Sequence, residues 1–574
     1  MTYLKEYEKW LSGAVDSAIR EELETIAGDD EQIKARFNAP LKFGTGGLRG
    51  IIGAGISRMN IYTVRQATQG MASLILRQGG RAAERGVVIA HDCRRMSSEF
   101  AKEAACVLAA NGIRVYLFDD MRPTPELSFA VRELGCIAGI NITASHNPKE
   151  YNGYKAYWED GAQLSPELSD VVQKEIAAAD IFGGVKTMPF ERAQDFGLLR
   201  MVGADIDERY LERVLSLSVN REAVERAAER FKLVYTPFHG AGYRLVPEAL
   251  GRLGFRNILT VPEQMVPDGD FSTVKSPNPE EREGFELAVR LAEANGADLV
   301  IATDPDADRL GVVCRDADGH YRALEGNQIG ILLLCYLIEA HRQKGTLPSD
   351  AAVISTVVST LMTDAVCEKE GLALFKVLTG FKFIGEKMEE LEKSGSHSFF
   401  FAFEESYGYL AGDHARDKDA VSAALLISEA AAFYSLRGLR LADVLERLYE
   451  RYGYYRERTI NLVMPGVDGP QRMKRATAAL RQKPPERIGG LCVSSVEDYL
   501  AGDATHAQTG AKTALSLPKS DVLVFRLSDG SAVAVRPSGT EPKVKCYLLV
   551  KGADKDDAGR KLAALDDDVR AMLG

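Results

Sequence analysis

The feature that most constrains the fold of this chain is a series of short apolar runs, rich in Val and Ile, that recur along the sequence. Each run ends in a polar turn and is followed by a segment that suits a helix. The runs are 86–90, 136–140, 231–235, 298–302 and 351–355. Strands that are apolar on both faces and spaced by helices are typical of parallel sheets covered by helices. The pattern therefore predicts an α/β protein.

The length of 574 residues is too great for a single hydrophobic core, so we expect several domains. The runs near 86, 231 and 351 look like three starts of one module, which predicts three similar α/β domains with mixed, mostly parallel sheets. After about residue 453 the pattern changes and predicts a smaller α+β domain. The predicted domains are 1–205, which includes a helical extension over 3–24, then 206–322, 323–455 and 456–574.

Charge and hydropathy exclude several classes of protein. The formal net charge of −11 argues against nucleic acid or an anionic membrane as the main partner. The longest apolar run, 329–338, is too short to span a bilayer, and the first residues contain no apolar signal core. We therefore expect a cytoplasmic protein whose partners are small molecules. Composition does not set its oligomeric state.

A serine stands in a polar turn directly after the run 136–140. The turn reads Thr-Ala-Ser-His-Asn-Pro over 143–148, and Lys155 follows ten residues after Ser145. In parallel α/β sheets, ligands gather at the carboxyl ends of strands, so this serine is placed where it could carry a phosphoryl group. A serine that merely caps a turn is the alternative interpretation.

Three aspartates stand in a second turn, directly after the run 298–302. Asp304, Asp306 and Asp308 are spaced so that a loop can bring three carboxylates onto one hard cation. Arg309 follows them and offers a group that binds anions. An EF-hand is excluded, because its sixth position requires glycine and is Arg309 here. A solvated acidic turn remains the alternative.

Three further segments carry groups that suit a phosphate or a sugar. They are the glycine-rich segment 43–50, the segment 403–419 with its acids, hydroxyls and lysine, and the segment 536–543 with its arginine, hydroxyls and glycine. Each is a weak signal alone, since ordinary turns and surface loops have a similar composition.

In this order, the five segments resemble the α-D-phosphohexomutase superfamily, and the resemblance runs from about residue 40 to 550. Its specific motifs are T-A-S-H-N-P followed by Y-N-G-x-K, then D-P-D-A-D-R and R-P-S-G-T. The segment E-E-S-Y-G is similar to the phosphoglucomutase and phosphopentomutase branch, because Gly408 stands where the phosphomannomutase branch carries a histidine. The resemblance implies four domains around a central cleft.

The resemblance also implies a set of site residues. The implied catalytic residues are Ser145 as the phosphoserine, Lys155, Arg49 and His146. The implied ligands of Mg²⁺ are Asp304, Asp306, Asp308 and the phosphorylated Ser145. The implied substrate-binding residues are Arg309, Thr379, Gly380, Lys382, Glu404, Ser406 and Lys418. The implied site for a distal phosphate consists of Arg536, Ser538, Gly539 and Thr540.

The resemblance implies an enzyme that interconverts α-D-glucose 1-phosphate and glucose 6-phosphate, with glucose 1,6-bisphosphate as intermediate and activator. The bisphosphate must turn end for end, which requires a second phosphate site. Lys155 is the first candidate for the general base if neighbouring cations lower its pKa, and His146 is the second. A phosphopentomutase, an enzyme with both activities, a phosphomannomutase, a metal-dependent sugar phosphatase and an inert sugar-phosphate-binding protein are the alternatives.

Overall fold

The apolar runs form buried strands in a computed structural model that describes residues 2–44, 46–464, 469–538 and 543–573. The chain divides into two compact units. Unit 1 runs up to Leu324 and adds Ile384–Lys393 and Tyr407–Arg440; unit 2 consists of Glu325–Phe383, Ser394–Ser406 and the chain from Leu441 onwards. Among the described residues, no helix is both long enough and apolar enough to cross a membrane.

The N-terminal region, predicted to be helical over 3–24, forms three helices with a break after the first. They are α1 Thr2–Gly13, α2 Ser17–Thr25 and α3 Asp30–Phe37. The break has a local cause, because Asp16 caps α2 by accepting a hydrogen bond from the N–H of Ile19. The fully buried Trp10 packs edge-on against Phe37, Tyr62 and Phe182, with ring centroids 5.8, 5.5 and 5.4 Å away.

The first sheet combines parallel and antiparallel strands. Its elements are β1 Gly47–Ile51, α4 Ile61–Arg77, α5 Ala82–Arg85, β2 Val87–His91, α6 Ser97–Ala110, β3 Val115–Phe118, α7 Thr124–Glu133, β4 Ala138–Ile142, β5 Tyr151–Trp158, α8 Pro166–Ala178, α9 Phe190–Asp195 and β6 Leu199–Val202. The strand order is β1-β5-β4-β2-β3-β6. Strands β4, β2, β3 and β6 are parallel, whereas β1 and β5 pair antiparallel with their neighbours.

The second sheet repeats this plan with five strands. Its elements are α10 Ala204–Ser216, α11 Arg221–Ala227, β7 Lys232–Thr236, α12 Gly242–Leu253, β8 Asn257–Thr260, a 3₁₀ turn Arg282–Phe285, α13 Glu286–Asn295, β9 Leu299–Thr303, β10 Leu310–Arg315 and β11 Tyr321–Ala323. The order is β11-β10-β9-β7-β8, with β9, β7 and β8 parallel. All five residues of β9 are buried, which explains its continuous apolar sequence.

The third α/β region contains a parallel sheet in which β12 lies between β13 and β14. Its elements are α14 Gly326–Lys344, β12 Ala351–Thr356, α15 Met362–Glu370, β13 Ala373–Val377, α16 Phe381–Ser394, β14 Ser398–Glu404, β15 Gly408–Ala411, α17 Ala420–Ser435 and α18 Leu441–Tyr452.

The C-terminal region is antiparallel throughout its long sheet, unlike the first three. Its elements are β16 Tyr454–Val463, α19 Gly469–Gln482, β17 Arg487–Ile488, β18 Leu491–Asp498, β19 Asp503–His506, β20 Lys512–Ala514, β21 Leu523–Leu527, β22 Ala532–Pro537, β23 Lys543–Gly552 and α20 Lys555–Leu573. The order is β16-β23-β22-β21-β18-β19-β20, and β17 pairs with β18. The predicted fold class, three α/β domains with mixed sheets and a further C-terminal domain, is confirmed.

Candidate active site

Ser145 lies three residues after the end of β4, in a turn that holds its backbone in a sparsely populated conformation. Its φ of 52° is left-handed, which is uncommon for a residue with a side chain. The N–H of Ser145 donates to Oγ1 of Thr143 at 2.8 Å. The Oγ atom lies 3.0 Å from Oδ2 of Asp304 and 3.2 Å from Nδ1 of His146. The turn therefore presents the hydroxyl directly to the aspartate loop.

The buried side chain of Arg94 holds this turn in place. Its guanidinium donates to four backbone carbonyls, those of Ser145, Asn147, Pro148 and Tyr151. The distances to Pro148 O and Tyr151 O are 2.8 and 3.0 Å. Four donated bonds from one rigid group fix the conformation of the serine turn. Sequence reasoning missed this residue, although its position shortly after β2 was a usable signal.

The three aspartates converge in the turn between β9 and β10. All three are buried, and one oxygen from each lies within 4.8 Å of the others. Asp304 also closes the turn, because its Oδ1 accepts the N–H groups of Asp308 at 3.0 Å and Arg309 at 2.9 Å. The cluster can therefore hold a metal ion.

The oxygens of this cluster fit a hard divalent cation. Oδ1 of Asp306 and Oδ1 of Asp308 are buried, and neither has a hydrogen-bond partner among the residues that the structure describes. A buried carboxylate oxygen without a partner is costly, and a cation removes that cost. Carboxylate oxygens are the ligands that Mg²⁺ and Ca²⁺ prefer.

Two lysines complete the cluster. Nζ of Lys155 lies 2.6 Å from Oδ2 of Asp306 and 2.9 Å from Oδ2 of Asp308. Nζ of Lys418 lies 3.2 Å from the same Asp308 oxygen. Lys418, assigned from the resemblance to substrate binding, thus contacts the aspartate loop. The reacting cluster is defined as Ser145, Lys155, Asp304, Asp306, Asp308 and Lys418, all of them buried.

Burial and mutual charge shift the pKa values within the reacting cluster. Burial, with Asp308 and Asp306 nearby, raises the pKa of Asp304 well above its usual range. Burial also acts to raise the pKa of Asp308, but the ammonium groups of Lys155 and Lys418 outweigh it and lower that pKa. For Lys155, burial acts to lower the pKa, but Asp306 and Asp308 raise it overall. The prediction of Lys155 as general base required a lowered pKa, whereas the pKa of Lys155 is raised.

Two arginines of the predicted site, Arg49 and Arg309, lie before the serine turn and directly after Asp308 in the sequence. Nη1 of Arg49, an exposed residue of β1, donates to Oδ1 of Asn147 in the serine turn at 2.8 Å. Nη1 of Arg309 forms an ion pair with Glu280 at 2.8 Å. Arg49 thus joins the serine turn, whereas Arg309 reaches towards another loop of the same unit.

The path of the chain around Lys418 explains how this lysine reaches the reacting cluster. Its neighbour Asp417 accepts hydrogen bonds from the hydroxyl of Tyr157 and from Nε2 of Gln163, both at 2.8 Å. The N–H of Ala420 donates to the carbonyl of Ala307 in the aspartate turn at 3.2 Å. Asp417 and Tyr157 are supporting residues that sequence reasoning did not identify, because these contacts join distant segments.

The other predicted residues that the structure describes lie in unit 2, in three segments: 379–383, 404–406 and 536–538. They are called the recognition loops after the substrate-binding role predicted for them. Thr379 and Gly380 follow β13, and Gly380 has a φ of 120° that favours glycine. The ammonium of the buried Lys382 lies 4.5 Å from the centroid of the Phe383 ring. This cation–π contact orients a cationic side chain in the first turn of α16.

The second recognition loop carries two consecutive carboxyl groups. Glu404 ends β14 and is buried, and Ser406 is partly buried. Oε2 of Glu405 accepts a hydrogen bond from the hydroxyl of Thr356 at 3.2 Å. Burial and the adjacent Glu404 raise the pKa of Glu405 to about 7. This loop thus places a carboxyl group with a raised pKa next to Glu404.

The third recognition loop consists of the last two residues of β22 and Ser538. Arg536 pairs in register with Lys545 of β23, and the N–H of Ser538 donates to the carbonyl of Lys543 at 2.8 Å. Both Arg536 and Ser538 are partly buried. The predicted residues Gly539 and Thr540 lie outside the described residues.

Four family models match the chain. Three are described as alpha/beta/alpha domains I, II and III of phosphoglucomutase/phosphomannomutase and match residues 40–181, 208–319 and 325–452. The fourth, the C-terminal domain of phosphoglucomutase/phosphomannomutase, matches residues 473–567. Together they cover most of the sequence in the order expected for one enzyme.

Similar proteins agree with these matches. A phosphoglucomutase from Staphylococcus aureus (strain MSSA476) is 37% identical over 558 residues, covering 97% of this chain and 98% of the relative. The structure of the phosphoprotein pp63/parafusin, a phosphoglucomutase from Paramecium, is similar with a TM-score of 0.67 at 17% identity, over 93% of this chain and 95% of that one.

A third similar structure is that of Aspergillus fumigatus N-acetylphosphoglucosamine mutase in complex with GlcNAc-6P and magnesium. Its TM-score is 0.53 at 14% identity, over 98% of this chain and 100% of that one. At such identities the two structures support the fold, whereas the family matches and the 37% identical relative establish the relationship. The chain belongs to the phosphoglucomutase/phosphomannomutase family of the α-D-phosphohexomutase superfamily.

Proposed function

We propose that the protein is a phosphoglucomutase, an isomerase that interconverts α-D-glucose 1-phosphate and glucose 6-phosphate through glucose 1,6-bisphosphate. One observation carries the proposal: Oγ of Ser145 lies 3.0 Å from Oδ2 of Asp304, although the two residues are 159 positions apart in the chain. A nucleophile placed against a buried carboxylate cluster suits phosphoryl transfer. The 37% identical phosphoglucomutase of Staphylococcus aureus supports the same reaction.

Ser145 is the group that carries the phosphoryl. The phosphoryl moves from Oγ of phosphorylated Ser145 to the free hydroxyl of a bound sugar monophosphate, so that one P–O bond breaks and another forms. The proton of the sugar hydroxyl ends on Oγ. The bisphosphate then turns around and returns its other phosphoryl group to Ser145. Because the left-handed turn holds Oγ in one place, both transfers meet the same geometry.

Asp304, Asp306 and Asp308, with a phosphoserine oxygen, would hold Mg²⁺, which supplies positive charge to the oxygens of the transferring group. The orphaned oxygens of Asp306 and Asp308 are the observation that supports a cation there. Magnesium in the similar fungal mutase supports this choice of metal.

Lys155 acts as a charged neighbour of the transferring group, since its pKa is raised and it keeps its proton. Lys418 adds a second positive charge beside Asp308, and Arg49 extends the positive charge along the serine turn. His146, with Nδ1 at 3.2 Å from Oγ, is the residue placed to pass the proton between the sugar hydroxyl and Ser145.

The recognition loops bind the rest of the sugar phosphate. Glu404 and Ser406 contact sugar hydroxyls, and Thr379, Gly380, Lys382 and Arg309 are further substrate-binding residues. Arg536, Ser538, Gly539 and Thr540 hold the phosphate that is not reacting. An arginine with hydroxyl and amide donors suits a phosphate.

The proposed domains of this enzyme are 1–205, 206–322, 323–455 and 456–574. Each of the four family matches falls within one of these segments, which supports the division.

The test is a mutase assay followed by phosphorus NMR. Purified protein is incubated with Mg²⁺, a trace of glucose 1,6-bisphosphate and one of three substrates: glucose 1-phosphate, ribose 1-phosphate or mannose 1-phosphate. Ser145→Ala is assayed in parallel, and Ser12→Ala, at an exposed serine of α1, is the matched control. EDTA-treated protein, with and without restored Mg²⁺, reports on the metal.

We expect fast conversion of glucose 1-phosphate by the unaltered protein and by Ser12→Ala, and loss of activity in Ser145→Ala by at least about 10³-fold. EDTA should abolish the activity and Mg²⁺ should restore it. Faster conversion of ribose 1-phosphate would favour a phosphopentomutase, and faster conversion of mannose 1-phosphate a phosphomannomutase. Release of inorganic phosphate alone would show a phosphatase and contradict the proposal.

A further inference from the structure

Thr124, the first residue of α7, connects the aspartate loop to the strand that precedes Ser145. Its hydroxyl donates to Oδ2 of Asp306 at 2.7 Å, and its N–H donates to the carbonyl of Asp306 at 2.8 Å. Nδ2 of Asn141, on β4, donates to the same hydroxyl at 2.7 Å. All three side chains are completely buried. The contact joins three segments that are far apart in the sequence.

The hydrogen bond from Asn141 fixes the direction of the Thr124 hydroxyl proton. Because Asn141 donates to the hydroxyl oxygen, the hydroxyl proton is directed at Oδ2 of Asp306. Pro123 occupies the N-cap position of α7, and that position makes no side-chain capping bond. The Thr124 hydroxyl, at the next position, donates to Asp306.

This arrangement gives the two oxygens of Asp306 different surroundings. Oδ2 receives Thr124 on one side and the ammonium of Lys155, at 2.6 Å, on the other. Oδ1 has no hydrogen-bond partner within the described part of the chain, and neither does Oδ1 of Asp308. A carboxylate held through one oxygen presents the other in a fixed orientation, as supporting partners of metal ligands do.

We propose that Thr124, oriented by Asn141, is a positioning residue that directs Oδ1 of Asp306 towards the divalent cation. The inference rests on the metal site of the proposed function. It also gives the serine strand a direct link to that site, since Asn141 lies four residues before Ser145 on the same strand and turn. The hydroxyl, rather than the bulk of the threonine side chain, is the group that matters.

The test measures the binding of Mn²⁺, the probe ion, to full-length protein by titration calorimetry and by electron paramagnetic resonance. Thr124→Val removes the hydroxyl at nearly constant shape, and Thr124→Ser keeps it. Thr124→Ala is a second variant without the hydroxyl, for use if the valine variant does not fold. Phosphorylation of Ser145 is measured by intact mass and matched between samples, and melting temperatures are recorded without metal.

We expect one Mn²⁺ per chain, an unchanged affinity in Thr124→Ser, and binding weakened by about tenfold in Thr124→Val and Thr124→Ala. The metal-free valine variant should melt at a temperature close to that of the metal-free unaltered protein, so that the weaker binding is not explained by lost stability. Equal Mn²⁺ affinity in the unaltered protein and in the folded variants without the hydroxyl would overturn the inference while leaving the metal site intact. Absence of stoichiometric binding in the unaltered protein would instead contradict the metal part of the proposed function.

Discussion

The reacting cluster of unit 1 and the recognition loops of unit 2 differ in the partners of their carboxyl groups. In the reacting cluster, Lys155 lies within 2.9 Å of two aspartates, and every member is buried. In the recognition loops, Glu404 and Glu405 are adjacent, and the pKa of Glu405 is raised to about 7. The reacting cluster pairs its aspartates with two lysines, whereas the second recognition loop places two carboxyl groups next to each other in the sequence.

The difference suits the two tasks of a mutase. In the proposed mechanism, transfer to and from Ser145 happens twice with the same geometry, so a rigid, preorganised cluster would lower the barrier each time. The recognition loops must bind the sugar in two orientations, so their side chains cannot all be fixed by one set of hydrogen bonds. The comparison therefore predicts large losses of turnover for changes near Ser145 and smaller losses, mainly in substrate affinity, for changes in the recognition loops.

The largest effect is expected for Arg94→Lys. A lysine cannot span the four carbonyls that the guanidinium holds, so the Ser145 turn shifts. Misplacement of a reacting group by about 1 Å costs about 10²-fold in rate, and we expect a loss of kcat of that size with KM little changed. Steady-state kinetics measures it. Arg95→Lys, at a mostly exposed neighbour, is the control and should stay near full activity.

If Arg94→Lys raises KM while kcat is preserved, the arginine acts in substrate binding and not in holding the serine turn. That result would contradict the comparison.

A smaller effect is expected for Glu404→Gln in the recognition loops. The amide keeps the shape but loses a charged acceptor for sugar hydroxyls, which should lower kcat/KM by about tenfold, mostly through KM. Phosphorylation of Ser145 by glucose 1,6-bisphosphate at saturation should proceed as before. Glu263→Gln, at an exposed loop position, is the control. A loss of kcat as large as that of Arg94→Lys would remove the distinction between the two regions.

The last prediction concerns the stability of unit 2. Glu457, on β16, accepts a hydrogen bond from Thr360, and burial raises its pKa to about 7. Its folded pKa exceeds its unfolded value, so the folded state binds more protons between about pH 4.5 and 7, and stability falls as pH rises through that window. Above pH 7 the loss is complete.

Glu457→Gln should remove this pH dependence and stabilise the protein at pH 8 by about 2 kcal/mol, with little gain at pH 4.5. Thermal unfolding from pH 4.5 to 8 measures it, with Glu263→Gln again as the control. If the melting curves of the variant and the unaltered protein stay parallel across this range, Glu457 does not carry the raised pKa.

Much of the fold and the location of the reacting cluster could be predicted, because strand-end rules act locally. Ser145 and Asp304 each follow a buried apolar strand, and their sequence neighbours already set the turns. The position of Lys418 could not be predicted, since it depends on how a distant loop folds back onto Asp308. The raised pKa of Lys155 could not be predicted for a related reason: the two aspartates that raise it come from another sheet.

The most direct test of the central claim follows the phosphoryl group itself. Protein is mixed with glucose 1,6-bisphosphate labelled in one phosphate and quenched within milliseconds, and the peptide that contains Ser145 is analysed by mass spectrometry. The account predicts label on Ser145 alone, followed by its transfer to added glucose 1-phosphate. Label on another residue, or turnover while Ser145 stays unlabelled, would contradict it.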